Sequence, residues 1–167
     1  MREYNPAARL LTIDPAEGVT NGQPLKQWNH PKIARFCPHC RHATETDAWR
    51  SGMVRFLRSR PSDPIVLATV EALAAAARGP VLVIEDSNHL TEVVGENLRL
   101  YARFVSPGSY FIVQDTRLTM PLAAMSAFFK RDPLGGCFEV DRRLEYFIVG
   151  QHWHGYLRRK ETGEGGC

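Results

Sequence analysis

The chain has 167 residues, 44% of them hydrophobic and 23% charged, which is enough apolar content for one domain with a sizeable core and too much for a disordered chain. The net charge of +3 comes from scattered lysines and arginines, clustered only at Arg158, Arg159 and Lys160, so the dense basic stripe of a nucleic-acid binder is missing. No apolar run approaches the roughly 18 to 20 residues of a membrane span, and the start "MREYNPAARL" has no signal-peptide core; a cytoplasmic protein with neither nucleic acid nor membrane as partner is expected.

Taken in chain order, "ARLLTID" reads as a strand that closes on Asp14 and Pro15. Residues 16–52 are rich in Gly, Pro, Asn, Gln and His with weak periodicity, and read as an irregular excursion from a single domain spanning 1–167. "MVRFLRS" alternates apolar and basic residues and reads as a strand near a sheet edge. Asp63 before Pro64 is a helix-start signal, because the carboxylate can cap free amides and proline fits the first turn; the helix runs through "IVLATVEALAAAA" to Gly79 and Pro80. "VLVIED" is continuously apolar, as expected of a strand covered on both faces by helices.

Leu90, Val93, Val94, Leu98, Tyr101, Phe104 and Val105 then mark one face at helical spacing, interrupted only by Asn97. "SPG" ends that helix, "SYFIVQD" supplies another buried strand, and "PLAAMSAFFKR" a further helix. Strands near "CFEVDRRLEYFIV" and "HGYLRRK" close the chain. Strand, helix and strand over residues 80–115 make a βαβ unit with parallel, neighbouring strands.

In such sheets ligands bind beyond the carboxyl ends of the strands, where Asp14, Glu85, Asp86, Gln114 and Asp115 fall. These acids are expected to face a ligand crevice. Neighbouring strands lie about 5 Å apart, so Asp86 and Asp115 can aim at one point. Two converging carboxylates repel unless a cation sits between them, and magnesium with an amide oxygen from Gln114 answers that need. The plain alternative is a pair of solvated strand-end acids. Asp14 could instead accept hydrogen bonds from the vicinal hydroxyls of a ribose.

The segments "ARLLTIDP", "FLRSRPSDPIVLATVEALA", "VLVIEDSNHLTEVVGENLRLYARFVSPGSYFIVQDT" and "FEVDRRLEYFIVGQHWHGYLRRK", in this order, resemble the cephalosporin hydroxylase and rhamnosyl O-methyltransferase family. The resemblance implies an α/β, Rossmann-like fold, mostly parallel with helices on both faces, that binds S-adenosylmethionine and magnesium. It implies a methyltransferase of antibiotic or other secondary metabolism acting on a hydroxyl of a small-molecule substrate. It matches Asp86, Gln114 and Asp115 to the family's metal ligands, with Gln114 standing where the family has Glu. Asp14 matches the ribose-binding acid, and Ser62 and Asp63 fall in the adenine-side loop. Asp86 and His89 are the catalytic candidates, His89 as a proton acceptor or as the residue that simply starts the helix. The family's glycine-rich turn and first strand have no counterpart ahead of "ARLLTID". The expectation is therefore an amino-terminally truncated chain with weak cofactor binding, able to associate with copies of itself through unpaired strand edges.

Two rival readings remain open in the sequence: a noncatalytic binding module, and a hydroxylase, although no two-histidine redox-metal arrangement is visible. Cys37 and Cys40 resemble one knuckle of a zinc ribbon, but with no second Cys-x-x-Cys they read as a surface thiol pair, and the four cysteines are expected to be reduced. His152 and His154 read as part of a loop entering the last strand.

Overall fold

The structure, a computed structural model, describes residues 8–13, 54–57, 59–145, 152–163 and 167. Asp14, the excursion with Cys37 and Cys40, and residues 146–151 lie outside the described residues. The chain divides into two units, Met1–Val66 and Leu67–Cys167.

In the first unit β1 (Leu10–Ile13) and β2 (Val54–Leu57) pair in parallel, with Leu10 opposite Val54 and Ile13 opposite Leu57. Helix α1 (Pro64–Ala75) begins as its sequence signal predicts. Asp63 Oδ1 accepts the Ile65 N–H at 2.9 Å, and its other oxygen accepts the Ser59 hydroxyl at 2.7 Å. The Ser59 hydroxyl and then the Ile65 amide hold the Asp63 carboxyl below its ordinary range.

The second unit carries a four-stranded sheet in the order β3 (Val83–Glu85), β4 (Tyr110–Val113), β6 (Tyr156–Arg159), β5 (Phe138–Val140). Strands β3 and β4 are parallel, joined by α2 (Thr91–Tyr101) and a short 3-10 turn at Ala102–Phe104. The other two pairings of this sheet are antiparallel. The fold is thus α/β with a mixed sheet, and the expected mostly parallel character holds only in part. The reason is local: α3 (Thr119–Arg131) leads into β5 through a short 3-10 turn, and among the described residues between β5 and β6 there is no crossover helix to bring the chain back in parallel.

The core forms where α2 packs against α3 and against β3. Val94 and Leu98 of α2 and Ala124, Met125 and Phe128 of α3 are shielded from solvent, as are Phe111, Val113 and Leu157 from the central strands. Burial pushes the Tyr101 phenol up to about 12, so it stays neutral in the core. Ile84 is 53% exposed, which corrects the expectation that β3 is covered on both faces. Among the described residues no helix is long and apolar enough to cross a membrane.

Two devices, one before β5 and one after it, tie this part of the sheet together. Asp141, after β5, accepts the Tyr110 hydroxyl at 2.8 Å and two guanidinium N–H groups of Arg143 at 2.9 and 2.8 Å. The Arg143 bonds, followed by that of Tyr110, hold the Asp141 carboxyl far below the ordinary carboxylate range, while Asp141 raises Tyr110. A carboxyl with a depressed folded-state pKa stabilises the fold above its unfolded value, near 4, and loses that contribution as pH falls below it. At neutral pH, Asp141→Asn is therefore expected to cost about 1 to 2 kcal/mol, modest because Arg143 is exposed. Urea titrations at pH 7 and pH 3 check this, and the gap between variant and wild type should narrow at the lower pH.

The second device is covalent: a disulfide joins Cys137 to Cys167, with Cα atoms 5.5 Å apart. This corrects the expectation of reduced thiols for these two residues. The antiparallel pairing of β5 with β6 returns the chain beside Cys137, whose carbonyl accepts the Lys160 N–H at 2.9 Å, and so makes the pairing possible.

Candidate metal and catalytic site

The parallel register places Glu85 opposite Val113, and the Gln114 N–H donates to the Glu85 carbonyl at 2.9 Å, so the chain leaves β3 and β4 side by side. Just beyond, Asp86, His89 and Asp115 each offer one ligand atom, and these atoms lie within 4.8 Å of one another. The convergence expected for Asp86 and Asp115 is present, with His89 as a third member. His89 Nε2 lies 3.2 Å from Asp115 Oδ2. Both residues have left-handed backbone, φ 61° at His89 and 51° at Asp115, a region costly for side-chain-bearing residues but least so for Asp, Asn and His.

The two acids that end β3 do different work. Asp86 is exposed and faces the cluster, whereas Glu85 is 4% exposed and turned inward. Glu85 Oε1 accepts the Asn97 side-chain N–H at 3.1 Å and the Ser87 backbone N–H at 3.2 Å. This corrects the expectation that Glu85 faces a ligand, and it explains Asn97: the one polar residue on the apolar face of α2 is the partner of the one carboxylate inside the β3 end. The strand's alternation carries the reason, since Val83 and Glu85 share a face opposite to that of Ile84. The signal was present in the sequence as a polar interruption of an apolar stripe, which calls for a buried partner.

Four buried side-chain atoms among the described residues have no hydrogen-bond partner: Glu85 Oε2, Ser87 Oγ, His89 Nδ1 and Thr116 Oγ1. All belong to the ends of β3 and β4 or the loops that follow them. Buried polar atoms without partners are costly, and these four gather beside the cluster. The donor set, two carboxylates and an imidazole with Gln114 next to Asp115, suits a divalent cation, hard oxygen ligands dominating.

A further histidine, missed as a site residue in the sequence, reaches the cluster from 37 residues downstream: His152 Nδ1 accepts the Asp115 backbone N–H at 3.1 Å. Beside it Trp153 is 47% exposed, with the Arg117 guanidinium 5.6 Å from its ring centre. His154 instead turns to Glu145, whose Oε1 accepts its backbone N–H at 2.8 Å. Ser62 and Asp63 belong to the first unit, where with Ser59, Arg60 and Pro64 they line an open hollow of about 500 Å³.

The carboxylate and imidazole cluster beyond two parallel strand ends of an α/β sheet falls where the general rule for such sheets puts a ligand site. The family described as Rhamnosyl O-methyltransferase/CmcI matches residues 35–160, which is most of the chain and includes the whole cluster and His152; the chain belongs to that family. It is a family of methyltransferase type, which implies use of S-adenosylmethionine. The match takes in part of the excursion at 16–52 and does not reach Asp14. No curated protein matches the chain.

Proposed function

We propose that the chain is a magnesium-assisted, S-adenosylmethionine-dependent O-methyltransferase acting on a hydroxyl of a secondary metabolite or sugar. The observation that carries this reading is the meeting of Asp86, His89 and Asp115 beyond the ends of β3 and β4 in a chain of this family. Asp86 and Asp115 would hold the cation, with the Gln114 amide oxygen beside them. Ser62 and Asp63, and Asp14 as the ribose acid, are the residues assigned to the nucleoside part of the cofactor.

A bound magnesium ion supplies positive charge that lowers the pKa of an acceptor hydroxyl, and S-adenosylmethionine supplies an electrophilic methyl group. The chain's own residues do the rest. Asp86 and Asp115 fix the acceptor oxygen's position, and orientation of this kind carries much of the acceleration in a transfer that needs no covalent nucleophile. His89 Nε2 lies 3.2 Å from Asp115 Oδ2 and donates its N–H there, so the imidazole orients the Asp115 carboxylate, and the hydroxyl proton leaves to solvent.

Gln114 gives this reading its own test. An amide contributes a neutral oxygen where a carboxylate would contribute charge, so Gln114→Glu is expected to raise magnesium affinity in an isothermal titration. Unchanged or weaker binding in that variant would remove Gln114 from the ligand set.

A further inference from the structure

The turn from His152 to Gly155 is fastened to the end of β4 at two points and closed on itself at a third. The Asp115 N–H donates to His152 Nδ1 at 3.1 Å, the Val113 N–H donates to the Gly155 carbonyl at 2.8 Å, and the Gly155 N–H closes the turn on the His152 carbonyl at 2.9 Å. Gly155 permits this closeness because a Cβ there would collide with the Val113 carbonyl oxygen. The His152 ring also rests edge-on against Tyr156, its centre 6.4 Å from the phenol ring's. The imidazole is therefore held by the Asp115 amide and by its contact with Tyr156, with Nδ1 committed as an acceptor.

The group that receives this care is the backbone of Asp115, whose φ of 51° is unfavourable for a residue with a side chain. That conformation aims the carboxylate at Asp86 and His89. Without an acceptor at 152 the amide at 115 would lose its partner, and the loop after β4 would lose the bond that ties it to the turn ahead of β6. We infer that His152 is a positioning residue for Asp115: its Nδ1 fixes the left-handed backbone that presents the Asp115 carboxylate to the cluster. This deepens the cation-site reading and, for its effect on metal affinity, rests on it. Partners that orient a metal-binding carboxylate typically change metal affinity by about 10- to 100-fold when removed.

Two substitutions separate the acceptor from the packing. His152→Phe keeps a ring against Tyr156 and removes the acceptor, whereas His152→Asn gives up the ring but keeps an oxygen close to where Nδ1 stood. Two readouts are taken on the full chain: exchange protection of the Asp115 backbone amide by NMR, and Mn²⁺ affinity by electron paramagnetic resonance. His152→Phe is expected to lose the Asp115 protection and about 10-fold or more in Mn²⁺ affinity, and His152→Asn to retain most of both even if its melting temperature falls further. Retained protection of the Asp115 amide in His152→Phe overturns the inference whether or not the cation binds. So does a Mn²⁺ affinity that follows thermal stability across the two variants instead of following the acceptor. Absence of Mn²⁺ binding in the wild type overturns the cation-site reading itself, and the amide readout still decides the role of His152 at Asp115.

Discussion

Asp115→Asn is expected to weaken divalent-cation binding by well over the 10- to 100-fold that loss of an outer-shell partner typically costs, and to stop methyl transfer with it. Asparagine is the informative replacement. It tolerates the left-handed backbone that Asp115 adopts at φ 51°, where alanine would add strain, so the change isolates the charge. It also leaves the Asp115-position N–H free to donate to His152 as before. What disappears is one of the two carboxylates that meet at the cluster, together with the anion that lies 3.2 Å from His89 Nε2. Titration of Mn²⁺ into wild type and variant reads the effect directly. Equal affinities would mean that Asp86 and Asp115 are solvated strand-end acids, the plain reading of their position.

The second large effect is on the fold. Phe111 lies fully buried on β4, between β3 and β6, where it pairs in register with Val83 on one side and Leu157 on the other. Phe111→Ala removes an aromatic ring from a place with no solvent to refill it, and costs of about 3 to 5 kcal/mol are usual for such sites. Typical domains are stable by only about 5 to 15 kcal/mol, so this one change should consume a large share of the total. Urea denaturation with the slope held in common measures it, and a loss under about 1 kcal/mol would place Phe111 outside the cooperative core.

The helices and most strands were legible because their signals are local. The Asp63 and Pro64 pair started α1 where expected, and the 3.6-residue apolar period located α2, which ends at Tyr101 in a 3-10 turn ahead of "SPG". The βαβ unit followed from segment lengths, and from it the meeting of Asp86 with Asp115. What depended on distant partners was not legible. Glu85 and Asp86 are adjacent and chemically alike, yet one is buried against Asn97 and the other exposed, because strand alternation sorts them and nothing in the pair itself does. The role of His152 depends on an antiparallel return that brings residues 37 positions apart into contact. The same return places Cys167 beside Cys137. A continuous apolar run in "VLVIED" likewise could not reveal that Ile84 faces outward.

If the cluster formed by Asp86, His89 and Asp115 holds a cation next to the methyl donor, the two must lie close enough for one to relax the other. This closeness is tested most directly by the paramagnetic relaxation of S-adenosylmethionine carrying a carbon-13 methyl group, with Mn²⁺ as the cation and cofactor raised until the methyl resonance reports a bound fraction. Strong Mn²⁺-dependent broadening of the methyl signal is expected, and it should be lost in Asp115→Asn. A methyl signal that reports bound cofactor yet stays sharp with Mn²⁺ on the protein would contradict that closeness.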